Sequence, residues 1–191
     1  MEHETAHQEN PLELRSILGF FLLTVFAQYR AGEAARLKHE PECDDFEHPE
    51  AFLSSNTKSE CTKTGQKAHR RGHVMCILTK AKGIAHDTVW SKHWLEARQS
   101  LGQNADTDGC LQEDVDHNLR PIKGTVMGAT KCTTLMRLIL GEHLQMSGTH
   151  PDKISSHTGK ATALTWCTKR GMRSETLNLL AYHAKTRQDS R

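Results

Sequence analysis

The stretch Ser155-Ser156-His157-Thr158-Gly159-Lys160 opens the helix on which the interpretation of the whole chain depends. A serine just before a helical pattern is a common N-cap, so either Ser155 or Ser156 is predicted to cap a helix here. Residues three apart are neighbours on a helix surface, and His157 and Lys160 can therefore contact the same small anion. Unpaired backbone N–H groups at a helix start attract anions as well. The stretch favours phosphate binding, and the alternative is a helix whose polar residues face water.

Helical patterns flank this stretch on both sides. The pattern before it predicts a helix over residues 129–146, and Ser174 is predicted to cap a last helix after the turn at Gly171. The residues expected on the buried faces are Cys132, Leu135, Met136, Ile139 and Leu140 in the first helix, Ala161, Leu164, Thr165 and Thr168 in the second, and Leu177, Leu180 and Ala181 in the last.

The amino-terminal part contains the most apolar segment of the chain. Residues 1–10 are predicted to be a disordered acidic tail, and residues 11–191 to form one domain. Asn10 is the predicted N-cap of a helix with Pro11 at its first position and Glu13 at the capping-box position. This helix includes Ile17–Ala27, a run too short to span a bilayer, which needs about 20 residues. It is therefore predicted to be a buried core helix.

Two charged residues follow this helix, where a short second helix is predicted over residues 31–37. Arg30 lies at the edge of the predicted core, and Glu33 is placed three residues later, where it can orient the guanidinium. The alternative is an arginine that only neutralises the carboxyl end of the helix dipole.

The middle of the chain mixes short strands, one helix and polar turns. Strands are predicted at residues 51–54, 59–62 and 74–78, in a small antiparallel sheet with Lys63 at a hairpin tip. A helix over residues 88–101, capped by Asp87 or Thr88, is predicted to bury Trp90, Trp94, Ala97 and Leu101. Residues 102–121 are polar and turn-rich, which predicts a surface loop.

Charge is unevenly distributed along the 191 residues. Residues 1–122 have 14 Lys and Arg against 19 Asp and Glu, a balance of −5, whereas residues 123–191 have 11 against 4, a balance of +7. A basic carboxyl-terminal third suits a polyanionic partner. The six cysteines are widely spaced and follow a polar amino terminus, so reduced thiols in an intracellular protein are expected. No Cys or His group has the spacing of metal ligands, and no metal site is predicted.

Four short motifs, in this order, resemble the catalytic domain of tyrosine recombinases, the phage-integrase superfamily, in the form found in eukaryotic mobile elements. The motifs are Tyr29-Arg30-Ala31-Gly32-Glu33, Thr62-Lys63-Thr64-Gly65, His157-Thr158-Gly159-Lys160 and Leu179-Leu180-Ala181-Tyr182-His183. The resemblance covers nearly the whole chain. It implies an α+β fold, mainly α-helical, with a small antiparallel β-sheet packed beside the helices.

The resemblance also implies a function, which is DNA recombination or integration by strand cleavage and rejoining through a 3′-phosphotyrosyl intermediate. Arg30 and Lys160 would hold the non-bridging phosphate oxygens, His157 and His183 would donate hydrogen bonds or move protons, and Lys63 would protonate the leaving 5′-oxygen. Glu33 would support Arg30. Further contacts to DNA are expected from the basic residues Lys67, Arg70, Arg71, Lys169, Arg170 and Arg173.

The implied partner is double-stranded DNA, bound by a homo-oligomer, with no cofactor and no membrane. The implied location is intracellular, and nuclear if the source is eukaryotic.

Two departures from the family pattern are visible. The position of Lys160 is an arginine in the family, and an ammonium cannot make the planar two-point contact of a guanidinium. The family's nucleophilic tyrosine lies about ten residues after the second histidine, and the chain ends at Arg191 before reaching it, so an inactive or incomplete fragment is expected. The alternatives are a DNA-binding relative that does not cut, and an unrelated helical interaction module.

Overall fold

The computed structural model of the protein describes residues 1–48, 51–58, 74–84, 88–143 and 151–180. About half of the structure is helical, and two small antiparallel sheets accompany the helices, which confirms the predicted α+β fold. The elements in chain order are α1 (Glu2–Ala6), α2 (Leu12–Phe26), α3 (Ala31–Ala34), β1 (Phe52–Lys58), β2 (Val74–Lys80), α4 (Trp90–Ser100), α5 (Ala105–Asp108), β3 (Glu113–Val115), β4 (Pro121–Val126), α6 (Ala129–Leu138), a π-helical turn (Ile139–His143), a 3-10 turn (Pro151–Lys153), α7 (Thr158–Lys169) and α8 (Ser174–Leu180).

Helix α2 forms the centre of the core. Residues 14–25 are all buried, on every side of the helix, as the continuous apolar run predicts. Helices α1, α4 and α7 pack around it. Gly19 faces Trp94 so closely that a Cβ at this position would overlap the indole ring. A glycine in the middle of α2 therefore allows α4 to approach closely.

The amino-terminal residues differ from the predicted tail. Residues 2–6 form α1, which packs on α2 and α4. Thr5 is fully buried, and its carbonyl accepts a hydrogen bond of 3.0 Å from the Arg15 Nε of α2. Asn10 does not cap α2, because its amide donates to the Glu4 carboxylate and carbonyl at 2.9 Å. The N-cap position of α2 is instead Pro11, one residue later than predicted, without a side-chain cap.

Helix α4 presents the predicted tryptophan stripe to the core. Trp90, Trp94 and Ala97 are fully buried, whereas Leu101 lies just past the helix end and is half-buried. The Trp90 ring stacks on Phe26 with centroids 5.4 Å apart. Val89 occupies the N-cap position that was predicted for Asp87 or Thr88, and Asp87 lies outside the described residues.

The two sheets are two-stranded. Strands β1 and β2 pair antiparallel in the register Phe52 with Lys80 through Lys58 with Val74, which agrees with the predicted strands at 51–54 and 74–78. The strand predicted at 59–62 lies outside the described residues.

The predicted surface loop at residues 102–121 is wrong. This segment contains α5, β3 and the start of β4, and it buries Ala105, Leu111 and Val115. Strand β3 pairs antiparallel with β4. A few apolar residues spaced among polar ones are enough to hold the segment against the core, and the abundance of polar residues concealed them.

Helix α6 buries the residues that its pattern predicts. Cys132, Leu135 and Met136 are buried, the helix continues into the π-helical turn with Ile139 buried, and Leu140 packs partly against the core. Burial raises the pKa of the Cys132 thiol to about 12. The cysteines at positions 43, 110, 132 and 167 are free thiols.

A buried ion pair joins α4 to the segments that follow α3 and α5. Arg98 is 1% exposed and donates to both Glu40 carboxylate oxygens, at 2.6 and 2.8 Å, and to the Leu111 carbonyl at 2.6 Å. The same carboxylate accepts the Ala105 backbone N–H at 2.8 Å, and the guanidinium lies 5.4 Å from the Trp94 ring centroid. The ion pair therefore ties together α4, the segment after α3, the first residue of α5 and the segment after α5.

Replacement of Arg98 should destabilise the protein strongly. Arg98→Met leaves the Glu40 carboxylate without its charge partner, and loss of one member of a fully buried pair reduces the free energy of unfolding by about 3–5 kcal/mol, which is an upper bound here because Glu40 is 19% exposed. The matched control is Lys92→Met, because Lys92 forms an exposed ion pair with Glu47 at 3.5 Å and such pairs contribute roughly 0–1 kcal/mol. Urea unfolding measures both variants, and equal losses would contradict this account.

Candidate functional site

The candidate site begins where α2 ends. Gln28 follows the helix with a φ of +57°, the left-handed conformation that often terminates a helix. The chain then turns, and Arg30 occupies the N-cap position of α3 in an extended conformation. Its backbone carbonyl accepts hydrogen bonds from Glu33 and Ala34, both at 2.9 Å. The guanidinium is therefore attached to a rigid corner between two helices.

Glu33 holds the Arg30 side chain. The Arg30 Nη1 donates to the Glu33 Oε1 at 3.1 Å, and the two side chains are 32% and 18% exposed. The Arg30 Nε is buried and has no hydrogen-bond partner in the described part of the chain. One edge of the guanidinium is thus held by a carboxylate, while one buried N–H donor is unsatisfied.

The segment before α7 is bound to this corner through its backbone. The Ser156 carbonyl accepts a hydrogen bond of 3.2 Å from the Ala31 N–H, the first N–H of α3. The Ser156 N–H donates to the Thr133 Oγ1 of α6 at 2.9 Å, and Ser156 is buried. These two bonds attach the start of α7 to α3 and α6.

The structure corrects the predicted cap of α7. His157, not Ser155 or Ser156, occupies the N-cap position, and its side chain makes no capping bond. The Ser155 N–H instead donates to the Thr158 Oγ1 at 2.8 Å, and the His157 N–H to the Ser155 Oγ at 3.3 Å. The His157 ring is exposed, with its Nδ1 3.4 Å from the Ser156 Oγ.

Lys160 lies in the electrostatic field of both Arg30 and Glu33. Burial lowers the pKa of its ammonium, the positive charge of Arg30 lowers it further, and the Glu33 carboxylate acts in the opposite direction. The side chain is half-buried. Arg30 and Glu33 at the start of α3 are therefore close enough to Lys160 of α7 to act on its charge, although the two helices are far apart in sequence, and His157 lies at the start of the same helix as Lys160.

The predicted buried face of α7 is wrong. Gly159 and Ala163 are the buried residues of this helix, while Ala161, Thr165 and Thr168 are exposed and Leu164 is half-buried. The physical reason is close packing, because α7 contacts α2 through its smallest side chains. Gly171 ends the segment with a φ of +77°, as predicted.

The remaining predicted site residues fall into two groups. Lys169, Arg170 and Arg173 are exposed at the end of α7 and just beyond it, where they are accessible to a polyanion. The others lie outside the described residues, and their roles stay predictions: Lys63, Lys67, Arg70, Arg71 and His183.

Sequence reasoning missed two uncharged residues that build the site, and it gave a third a different role. Thr133 and Thr24 hold the start of α7 through a hydrogen bond and a contact, and Ser156, which was predicted as a cap, holds it through its backbone N–H and carbonyl. Threonines in helices carry no distinctive sequence signal. Gly159 does, because an isolated glycine within a helical pattern often marks a close contact.

Two other kinds of feature are absent from the described residues. These residues include no group of three or more His, Cys, Asp or Glu side chains that could hold a metal ion. None of the helices formed by the described residues combines the length and apolar character required to cross a membrane.

Comparison with known proteins shows similarity of fold. No protein family and no curated protein matches the sequence. An FLP recombinase–Holliday junction complex matches with a TM-score of 0.56 and 10% identity over 97% of this chain. A DNA Holliday-junction complex of a Flpe point mutant matches with a TM-score of 0.57 and 10% identity over 96%, and a Flpe–Holliday junction complex with 0.52 and 10% over 99%.

These matches define the class of fold. FLP recombinase is a tyrosine recombinase, so the chain has a fold similar to that of this class. The chain spans 42–43% of the length of the matched proteins. At 10% identity the likeness concerns the fold alone.

Removal of the Lys160 charge should change how stability depends on pH. A lysine whose pKa is lowered by folding binds fewer protons in the folded than in the unfolded state, so stability rises as pH passes from the lowered pKa towards the ordinary value of 10.5. Lys160→Met should abolish this rise. The control is Lys169→Met, at an exposed position on the same helix. Urea unfolding between neutral and alkaline pH measures the difference, and identical pH profiles for the two variants would contradict this assignment.

Proposed function

We propose that Arg30 and Lys160 form a binding site for a phosphodiester of double-stranded DNA. The observation that carries this proposal is that the fold holds two half-buried cations within electrostatic reach of each other, with the Glu33 carboxylate beside Arg30. Like charges in a desolvated site repel, so an arrangement of this kind is stabilised when an anion binds. The Arg30 side chain is 32% exposed, so part of the guanidinium is accessible to an anion oxygen.

The chemistry that this site supports best is DNA strand cleavage and rejoining. Attack on a phosphodiester places negative charge on the non-bridging oxygens, and cations fixed before the reaction stabilise that charge. Arg30 offers planar donors for two oxygens, and Lys160 offers a point charge. By resemblance, His157 and His183 would donate hydrogen bonds or transfer protons, and Lys63 would protonate the leaving 5′-oxygen.

Further basic residues support DNA as the partner. Lys169, Arg170 and Arg173 extend positive charge from the end of α7, and Lys67, Arg70 and Arg71 are assigned to the same role by the sequence. The structures with a similar fold are complexes with DNA junctions. Assembly as a homo-oligomer on DNA, and a role in integration of a mobile element, belong to the same proposal.

A second candidate is a DNA-binding protein that does not cut DNA. Tyr29 is 1% exposed, at the base of the Arg30 corner, so its hydroxyl is inaccessible to a phosphodiester. Tyr182 lies outside the described residues. This candidate shares the Arg30 and Lys160 site and differs only in the absence of strand cleavage.

Binding of duplex DNA should depend on Arg30 and Lys160. Affinity should fall steeply with salt concentration, because phosphate contacts release counterions. Arg30→Ala and Lys160→Ala should each weaken binding to all sequences and reduce the salt slope by about one. The control is Arg120→Ala, which removes an exposed arginine between β3 and β4. Fluorescence anisotropy at several salt concentrations measures these effects, and wild-type slopes in both site variants would sink the proposal.

A covalent trapping experiment tests whether this chain itself supplies the nucleophile. A nicked duplex that cannot religate accumulates a protein–DNA adduct when a tyrosine attacks. The 191-residue chain should give no adduct, since Tyr29 is buried. An adduct detected by denaturing electrophoresis and removed by Tyr182→Phe would overturn this expectation and assign the nucleophile to the chain.

A further inference from the structure

The start of α7 lies against the carboxyl-terminal part of α2 at Gly159. A Cβ at this position would lie 2.7 Å from the Thr24 Oγ1, 3.3 Å from the Val25 Cγ2 and 3.4 Å from the Thr24 carbonyl carbon. Only the distance to the Thr24 Oγ1 is prohibitive. The Val25 Cγ2 would have to move by a few tenths of an ångström, and the distance to the Thr24 carbonyl carbon is at the limit of an ordinary van der Waals contact. The Thr24 hydroxyl is therefore the atom that excludes a larger residue at position 159.

Thr24 cannot turn its hydroxyl away without cost. The Oγ1 donates a hydrogen bond of 2.8 Å to the Phe21 carbonyl within α2, and Thr24 is 1% exposed. Rotation of the side chain would leave a buried hydroxyl unpaired, which is unfavourable. A methyl group at Gly159 would consequently displace α7 rather than Thr24.

The contact lies close in sequence to both cations. Lys160 is the next residue after Gly159, and Arg30 lies six residues after Thr24, just past the end of α2 at Phe26. The backbone hydrogen bond between Ser156 and Ala31 is the second attachment of α7 to this corner. The Gly159–Thr24 contact and the Ser156–Ala31 hydrogen bond together restrict the sliding of α7 along α2 and the rotation of α7 about its own axis.

We propose that Thr24 and Gly159 are positioning residues, whose direct contact holds Lys160 beside Arg30. The effect of this contact on DNA binding rests on the proposed function. The effect of the contact on the position of the Lys160 side chain does not. Neither residue is required to touch the phosphate. Their role is to bring the start of α7 close enough to α2 for Lys160 to lie within the electrostatic influence of Arg30.

The test uses three variants of the full chain: Gly159→Ala, Thr24→Ala and the double variant. The first readout is the pKa of Lys160 without DNA, from the pH dependence of its 13Cε resonance. Gly159→Ala should move the pKa upward towards 10.5, because Lys160 leaves the neighbourhood of Arg30 and becomes solvated. The double variant should regain the lowered pKa, since removal of the Thr24 hydroxyl makes room for the added methyl group.

Thr24→Ala controls for the loss of the hydroxyl itself and should keep the lowered Lys160 pKa. An unchanged Lys160 pKa in folded Gly159→Ala, or no recovery in the double variant, would overturn the proposal. If thermal unfolding shows that Gly159→Ala does not fold, the comparison of Thr24→Ala with the double variant decides. Equal lowered values support the contact, and a raised value in the double variant overturns it.

Duplex DNA binding is the second readout and distinguishes the two proposals. Gly159→Ala should reduce the salt slope by about one, as removal of Lys160 does, and the double variant should restore it. Failure of the wild-type protein to bind DNA would reject the proposed function, while the Lys160 pKa series would still decide the positioning role.

Discussion

The burial of α2 on all sides is the constraint on which the rest of the structure depends. A helix that is apolar all round needs neighbours on every face, and α1, α4 and α7 supply them. Close approach is possible because two contacts use glycine, Gly19 against Trp94 and Gly159 against Thr24. Since the chain leaves α2 through Gln28 into the Arg30 corner, the same packing that buries α2 also determines where Arg30 and Lys160 meet.

Much of the fold could be predicted from local patterns. The apolar run of α2, the tryptophan stripe of α4 and the buried face of α6 are strong periodic signals, and each agrees with the structure. The failures occur where burial depends on a few residues. α1 is short and polar, yet Thr5 is buried, and residues 102–121 contribute Leu111 and Val115 to the core. Only tertiary contacts distinguish such segments from solvated ones.

The charged residues of the candidate site could be predicted from the sequence, but the contacts that hold them in place could not. Arg30, Glu33 and Lys160 are recognisable from motif spacing, because charged residues at helix ends are conspicuous in a sequence. Their convergence depends on the Ser156–Ala31 hydrogen bond and on the Gly159–Thr24 contact, which join segments more than 100 residues apart. The buried face of α7 was missed for the same reason, since hydrophobicity favours Leu164 whereas close packing selects Gly159 and Ala163.

The central claim is that Lys160 contacts DNA at the site where it meets Arg30. The most direct measurement follows the 13Cε resonances of labelled lysines while a short duplex is added at low salt, with Lys160 assigned through Lys160→Arg. The account predicts that Lys160 shifts with saturation, that Arg30→Ala abolishes this shift, and that Lys92, in its exposed pair with Glu47, remains unchanged. A saturating shift of other lysines with no change at Lys160 would contradict it.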